Sequence, residues 1–255
     1  MSPPKLMSRP ASPVAATFAQ TRMELRLTAR RGENVLVTIV IPVVILLFFA
    51  SVSVLPTGDG APVDFLLPGA LALAVIATSL VNLGIATAYE RSYGVLKRLG
   101  GSPLTRTGLL GAKMSAVLLV EIVQVVLLVT IAWSVLGWRP GSSASLAIVV
   151  VSLLLGTLAF AGLGLLMAGA LRAEATLALA NGLFIAFLLL GGIVLPVSHL
   201  PGPLAAVAAI LPAAALADAF RVGLGAGGDA LEPLVVVAVW GIAAVVLATR
   251  TFRWE

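Results

Sequence analysis

Two polar side chains lie in the middle of an otherwise apolar stretch, where they could bind a substrate or carry a proton. Glu121 lies about two turns inside the run Met114–Trp138, and Gln124 follows three residues later on nearly the same helical face. A charged side chain at the centre of a bilayer costs at least ~2.5 kcal/mol, so Glu121 must be neutral, solvated or paired. The pair predicts a polar notch in a transport path or an interhelical hydrogen bond, unless Glu121 reaches water at the membrane interface.

Two asparagines are further isolated polar residues in long apolar runs. Asn82 and Asn181 each carry an amide that can join neighbouring helices inside a membrane. We interpret both as interhelical contacts, and we keep Asn181 with Glu121 and Gln124 as candidates for a substrate path. Because an ionisable residue inside a span is a functional candidate, a proton-coupled secondary transporter that uses Glu121 is the alternative function.

The segment 88–104 is basic and lies between two apolar runs. If it forms one helix, Tyr89, Tyr93 and Leu96 fall at positions i, i+4 and i+7 on one face. An apolar face on a basic helix outside the membrane predicts a docking surface for a partner.

The same segment has a second face and defined ends. Glu90 and Lys97 lie on another face than the tyrosines, with Gly94 between them. We predict that Gly100–Gly101 ends the helix, and that Ser102 is the N-cap of the next helix with Pro103 at its first position.

Nucleotide-binding and metal-binding patterns are missing from the sequence. The nearest approach to a P-loop, residues 94–101, lacks the Lys-Ser/Thr pair that binds phosphate and magnesium. The chain has no cysteine, and its single histidine, His199, has no carboxylate cluster nearby in sequence, so we interpret it as a surface loop residue. We therefore assign no catalytic residue, metal or cofactor to this chain.

The composition is that of an integral membrane protein. Hydrophobic residues make up 60% of the chain and charged residues 11%, against about 45–50% and about 25% in soluble domains. Six runs are long enough to cross roughly 30 Å of hydrocarbon as helices. They are Val35–Val54, Phe65–Ala88, Met114–Trp138, Leu146–Leu171, Ala175–Val197 and Pro233–Thr249. The predicted fold is therefore an all-α polytopic membrane protein.

Basic residues lie almost entirely on one side of these spans. An even number of spans places both termini on the same side, and only Arg139 and Arg221 of the 16 Lys and Arg residues fall on the other. Because basic residues concentrate in cytoplasmic segments, both termini are predicted to be cytoplasmic. Membrane orientation accounts for the basic balance without any nucleic-acid partner.

A basic stripe precedes the first span. Arg22, Arg26 and Arg30 recur every four residues, which is typical of a helix lying in the headgroup layer. An ordinary basic flank that only orients the first span is an equal alternative. Residues 1–15 are predicted to be a disordered cytoplasmic tail without a cleaved signal peptide, and residues 16–255 a single transmembrane domain.

The segment before the last span is apolar but too short to cross. Leu204–Leu216 is interrupted by Pro212, which predicts a re-entrant or interfacial helix pair, with a surface helix packed on the other spans as the alternative. Asp218 and Arg221 are three residues apart and can pair on one helical face.

Three features, in this order, resemble the membrane subunit of ABC-2 type ATP-binding cassette exporters, the family that includes daunorubicin-type drug exporters. The first is a basic amphipathic helix, Ala16–Arg31, before a first span that contains Pro42. The second is similar to that family's cytoplasmic coupling helix and reads Glu90-Arg91-x-x-Gly94-x-x-Lys97-Arg98-Leu99-x-x-x-Pro103-Leu104. The third is the glycine- and proline-rich stretch 191–221, which is similar to the family's outer re-entrant segment.

The resemblance implies a six-helix half-transporter in the bacterial cytoplasmic membrane. It would pair with a second permease subunit, identical or closely homologous, and sit on two copies of a separate ATPase subunit that holds ATP and magnesium. ATPase closure would push the coupling helix and shift the spans between inward-open and outward-open states. The coupling residues would be Tyr89, Glu90, Arg91, Tyr93, Gly94, Leu96, Lys97, Arg98 and Pro103.

In that picture the side chains of the coupling helix divide into two groups. Tyr89, Tyr93 and Leu96 would make the apolar contact, while the basic residues would face acidic groups or phospholipid. Aromatic residues are only 6% of the chain, which disfavours a path for sugars and favours an amphipathic drug, lipid or metabolite as the exported substrate. A non-transporting membrane anchor is a third alternative.

Overall fold

The computed structural model of the protein describes residues 12–30, 32–52, 61–102 and 104–251. Across these ranges the chain is helical and contains no β-strand, which confirms the predicted all-α fold. The helices are α1 (Pro13–Arg30), α2 (Gly32–Ser51), α3 (Pro62–Ser92), α4 (Val95–Gly100), α5 (Arg106–Ser134), α6 (Leu146–Ala170), α7 (Ala173–Leu190), α8 (Gly202–Ile210), α9 (Pro212–Gly223) and α10 (Leu231–Thr251).

Five of these helices are long and apolar enough to cross a membrane. They are α3, α5, α6, α7 and α10, with lengths of 18 to 31 residues, and a rise of about 1.5 Å per residue makes even 18 residues roughly as long as the hydrocarbon layer is thick. The 20-residue helix α2 lies at the position of the first predicted span. Five of the six predicted spans are thus confirmed in the predicted order, and the chain is a multi-pass membrane protein.

Most helix ends differ from the predicted span ends, and two of the larger differences have a local cause. Helix α5 begins at Arg106 rather than Met114, since Thr105 is its N-cap and accepts a hydrogen bond from the Gly108 amide at 3.0 Å. The prediction of Ser102 as N-cap was therefore wrong, and Pro103 lies outside the described residues. Helix α7 ends at Leu190 rather than Val197, because the chain turns at Gly192 with a φ of +62°.

Helix α3 forms the centre of the molecule. In its apolar window 83% of the residues are buried, and it packs against α2, α5, α6 and α9. The turn Ile76–Asn82 is π-helical, a widening that is common at functional sites. Helix α6 approaches this turn closely through Gly164, where a Cβ atom would lie only 2.8 Å from the Ser79 carbonyl oxygen.

Helix α1 packs along the start of α5 and is more than a flank of the first span. Its apolar side, which includes Ala16, joins a cluster with Leu109 and Leu110 of α5. The side chains of Arg22, Arg26 and Arg30 are exposed, as a headgroup-layer helix requires.

The start of α1 also corrects a predicted boundary. The helix begins at Pro13, so residues 13–15 are helical and do not belong to the predicted tail, whose residues 1–11 lie outside the described residues.

The segment before the last span is a bent helix pair, as predicted. Helices α8 and α9 meet at an angle of 75°, where Leu211 is extended and Pro212 starts the second helix. The predicted ion pair is present, since Arg221 Nη1 lies 2.5 Å from Asp218 Oδ1. The guanidinium also donates to the Gly192 carbonyl and lies over the Phe65 ring at 4.3 Å, so Arg221 joins α9 to α3 and to the end of α7.

The membrane orientation can be checked with single cysteines, since the chain has none of its own. Ser142 and Asp229 are exposed in loops at one end of the helices, and Ser92 and Ser102 are exposed at the other. We expect an impermeant thiol reagent to label Ser142→Cys and Asp229→Cys in intact cells, because basic residues avoid that side. Ser92→Cys and Ser102→Cys should react only after the cells are opened, and the reverse pattern would overturn the predicted orientation.

Candidate functional site

A buried polar cluster surrounds Glu121 in the middle of α5. The side chain of Glu121 is 0% exposed, and both carboxylate oxygens accept hydrogen bonds from hydroxyl groups on other helices. Ser79, in the π-helical turn of α3, donates to Oε1 at 2.5 Å, and Thr157 of α6 donates to Oε2. The carboxyl group thus joins α3, α5 and α6 at one point.

Gln124 extends this cluster to α2. Its side-chain carbonyl accepts a hydrogen bond from Thr78 at 3.0 Å, and its amide donates to the Thr38 backbone carbonyl at 3.2 Å. Asn82 donates to the Thr38 hydroxyl at 2.6 Å. The interhelical hydrogen bonds predicted for Glu121, Gln124 and Asn82 are therefore present, whereas the one predicted for Asn181 is not. The alternative in which Glu121 reaches water at the interface is wrong.

Asn181 lies apart from this cluster. Its side chain is exposed on α7, and its amide donates to the Leu177 carbonyl of the same helix at 2.9 Å. The structure therefore does not bring Asn181 together with Glu121 and Gln124, as a shared path would require.

A second polar centre lies at Lys113, near the start of α5 and beside α1. Its side chain is only 1% exposed, and Nζ lies 2.9 Å from Glu24 Oε1 and 2.7 Å from Glu90 Oε2. These contacts tie α1, α3 and α5 together. The sequence did not predict these contacts, because Lys113 directly precedes the apolar run and there indicates only membrane orientation. The apolar residues on both sides of Lys113 are the pattern that could have indicated a buried charge.

The predicted coupling helix is broken in two. Helix α3 ends at Ser92, and Gly94 takes a left-handed conformation with a φ of +69° before α4 begins. The single apolar face predicted for Tyr89, Tyr93 and Leu96 was therefore wrong. Tyr93 is 73% exposed, whereas Leu96 is fully buried.

The Tyr89 and Tyr93 rings lie side by side with their centroids 6.0 Å apart, and only Leu96 departs from the predicted face. Leu96 packs in the apolar cluster that contains Leu109 and Leu110, and Tyr89 packs on a separate cluster around Ala168. Leu96 therefore packs between α4 and α5 and is not accessible to a partner protein.

Arg91 closes the end of α6 and does not face acidic groups. Its Nη1 donates to the Gly169 carbonyl at 2.6 Å, and its Nη2 donates to the Leu171 carbonyl. A guanidinium at the carboxyl end of a helix satisfies carbonyls that have no partner within the helix. The predicted outward role of Arg91 was wrong, and Glu90 likewise points to Lys113. Lys97 and Arg98 are exposed, as predicted.

These features together describe a polytopic helical membrane subunit whose exposed basic turn is held to the interior by charged contacts. A family model described as ABC-2 type transporter matches residues 15–224, which include most of α1 and all of α2 to α9. The chain belongs to the ABC-2 type transporter family. No curated protein sequence matches the chain significantly.

Membership of the ABC-2 family makes the chain a transmembrane component of an ABC-type exporter. The ABC-2 domain is a membrane component and not itself catalytic, and the family implies association with an ATP-binding cassette subunit. In this ABC-2 subunit, the turn at Gly94 and α4 occupy the position of the coupling helix that the resemblance predicted.

Proposed function

We propose that two such subunits, identical or closely related, form an exporter with a separate ATPase that binds ATP and magnesium. The observation that carries this proposal is the anchored turn between α3 and α5. Its outer side exposes Tyr93, Lys97 and Arg98, and its base is fixed to the interior through Glu90 and Arg91.

The docking surface consists of the exposed side chains on this turn. Tyr93 supplies apolar area, and Lys97 and Arg98 supply positive charge for acidic groups on the ATPase. A displacement of the turn passes to α5 and α1 through Lys113, and to the end of α6 through Arg91. Rigid contacts of this kind allow a small movement at a docking site to shift whole helices.

The substrate is proposed to be an amphipathic drug, lipid or metabolite that leaves the bacterial cytoplasm. The exposed helix faces are mostly aliphatic and aromatic residues are only 6% of the chain, which disfavours a path for sugars. The basic residues favour an orientation with both termini in the cytoplasm, which places α4 on the side where an ATPase would dock.

The test of coupling uses Gly94→Pro. Proline fixes φ near −65° and lacks an amide hydrogen, whereas Gly94 has a φ of +69° and donates to the Arg91 carbonyl at 2.9 Å. We expect the variant to insert in the membrane and its complex to keep basal ATP hydrolysis, while export falls at least about tenfold, which needs only about 1.4 kcal/mol of lost coupling. Export into vesicles and ATP hydrolysis are measured on the same purified complex.

Gly101→Ala is the matched control for this variant. Gly101 lies at the other end of α4 with an ordinary φ of −81°, and an added Cβ would meet nothing closer than 3.5 Å. It should export like the unmodified complex. Normal export by Gly94→Pro would overturn the assignment of this turn as the coupling element.

A further inference from the structure

A cleft inside the subunit combines a charged end with apolar walls. It has a volume of about 70 Å³ and lies between α1, α2, α3 and α5. Glu24, Glu90 and Lys113 line one end, and Thr38 and Asn82 line the other. Leucine, valine and alanine side chains of α1, α3 and α5 form the walls between them. The cleft thus offers a charged end for the head group of an amphiphile and apolar walls for its alkyl chain.

The charged groups among the described residues that line the cleft, Glu24, Glu90 and Lys113, carry one excess negative charge. Lys113 contacts only Oε1 of Glu24 and Oε2 of Glu90. Among the described residues, the remaining oxygen of each carboxylate accepts no hydrogen bond, and each glutamate side chain keeps 13% of its surface exposed. Two carboxylates that share one ammonium group keep a net negative charge, which a cation with further hydrogen-bond donors would stabilise.

We propose that this cleft binds the ammonium group of a cationic amphiphile, with its alkyl part along the apolar walls. The cleft extends along α3 from Glu90 to Thr78, about 18 Å at the helical rise. Its volume of about 70 Å³ exceeds the space that one water needs, roughly 10–15 Å³. It is far below the roughly 300–1,000 Å³ of a pocket for a drug-sized ligand. A narrow alkylammonium group therefore fits, and a polycyclic body does not.

This inference rests on the proposed export function and names ammonium amphiphiles as its substrate class. The binding site is nevertheless tested without the ATPase, on the full-length subunit in phosphatidylglycerol nanodiscs. Ala86 lines the cleft, and Ala86→Cys would be the only cysteine in the chain. The measured quantity is the rate at which a maleimide alkylates this cysteine, with and without decylammonium.

Decylammonium at about four times its dissociation constant should slow alkylation about fivefold, because it leaves about one site in five empty. Decyl sulfate and decanol, which have the same chain and no positive charge, should not slow it. The added change Glu24→Gln or Glu90→Gln should remove the protection, while Glu174→Gln, at an exposed carboxylate of α7, should keep it. An unchanged alkylation rate without amphiphile shows that a variant is folded.

Two outcomes would overturn the site. Equal protection by all three decyl compounds would mean an apolar groove without charge recognition, and protection by none would mean that the cleft does not bind the ammonium amphiphile. Adding phosphatidylethanolamine to the nanodiscs separates two sources of the ammonium group. Protection by this lipid alone supports the site and makes the lipid headgroup its ligand, and protection that needs decylammonium supports a soluble amphiphile.

The site and the proposed function can fail independently. A protected cysteine in a subunit that exports nothing with its ATPase would overturn the export function and leave the site. Export of decylammonium without protection of the cysteine would overturn the site and leave the function.

Discussion

Replacing Lys113 with methionine is expected to abolish ATP-driven export and to destabilise the subunit. The ammonium group is buried and contacts carboxylates of α1 and α3, at 2.9 Å and 2.7 Å. Removing one partner of a buried ion pair costs about 3–5 kcal/mol. For a chain of this size that corresponds to a fall in the apparent unfolding temperature on the order of 10 °C. Thermal unfolding of the purified subunit and export by the complex are the measurements.

Two control variants test whether the effect depends on the buried positive charge and not on any change of a basic residue in α5. Lys113→Arg keeps the positive charge and should retain most of the export. Arg106→Met removes an exposed charge from the first turn of the same helix and should change neither quantity. A stable Lys113→Met subunit that exports normally would show that the contacts among α1, α3 and α5 transmit nothing.

Glu121→Gln should leave export nearly unchanged, whereas Glu121→Leu should reduce it strongly. Glutamine keeps the shape of the side chain, and its amide can still accept from one hydroxyl and donate to the other. Leucine leaves the Ser79 hydroxyl without its acceptor, whereas the Thr157 hydroxyl can still donate to the Leu153 carbonyl at 2.8 Å. A lost buried partner costs about 1–3 kcal/mol. Export is measured with the ATPase, with and without a pH gradient.

The pair of variants also decides between ATP and proton coupling. If Glu121 carried protons, Glu121→Gln would abolish export, because an amide does not titrate. Export that depends on the pH gradient, ignores ATP and disappears in Glu121→Gln would overturn the proposed function. Loss of stability in Glu121→Leu, with export intact in Glu121→Gln, would assign the carboxyl group to helix packing.

The sequence predicted two members of the polar cluster, Glu121 and Gln124, but not their partners. Glu121 and Gln124 are three residues apart, so a helix places them on one face whatever surrounds it. Their partners Ser79, Thr157 and Thr38 are ordinary hydroxyl residues whose positions in other spans depend on how four helices pack. The π-helical turn that orients Ser79 leaves no pattern in hydrophobicity.

In the coupling segment, too, the sequence predicted the local features but not the contacts with distant residues. Its basic residues and its place between two spans were readable, but one helical face through Tyr89, Tyr93 and Leu96 required an unbroken helix. Gly94 breaks it by adopting a left-handed conformation. Arg91 donates to carbonyls of α6 and Glu90 contacts Lys113, because the ends of α3 and α6 lie beside the first turns of α5.

The sequence by itself determined the class, the order of the spans and the family resemblance of this protein. In lipid, the backbone N–H and C=O groups of a long apolar run find hydrogen-bond partners within the run only if it is helical. Basic residues indicate the cytoplasmic side of a membrane whatever the fold. The tertiary structure alone decided that Lys113 lies between Glu24 and Glu90, and that Asn181 lies apart from Glu121. The physical reason is that the pairing of buried charges depends on which helices touch, and contacts between residues far apart in sequence leave no periodic signal in the chain.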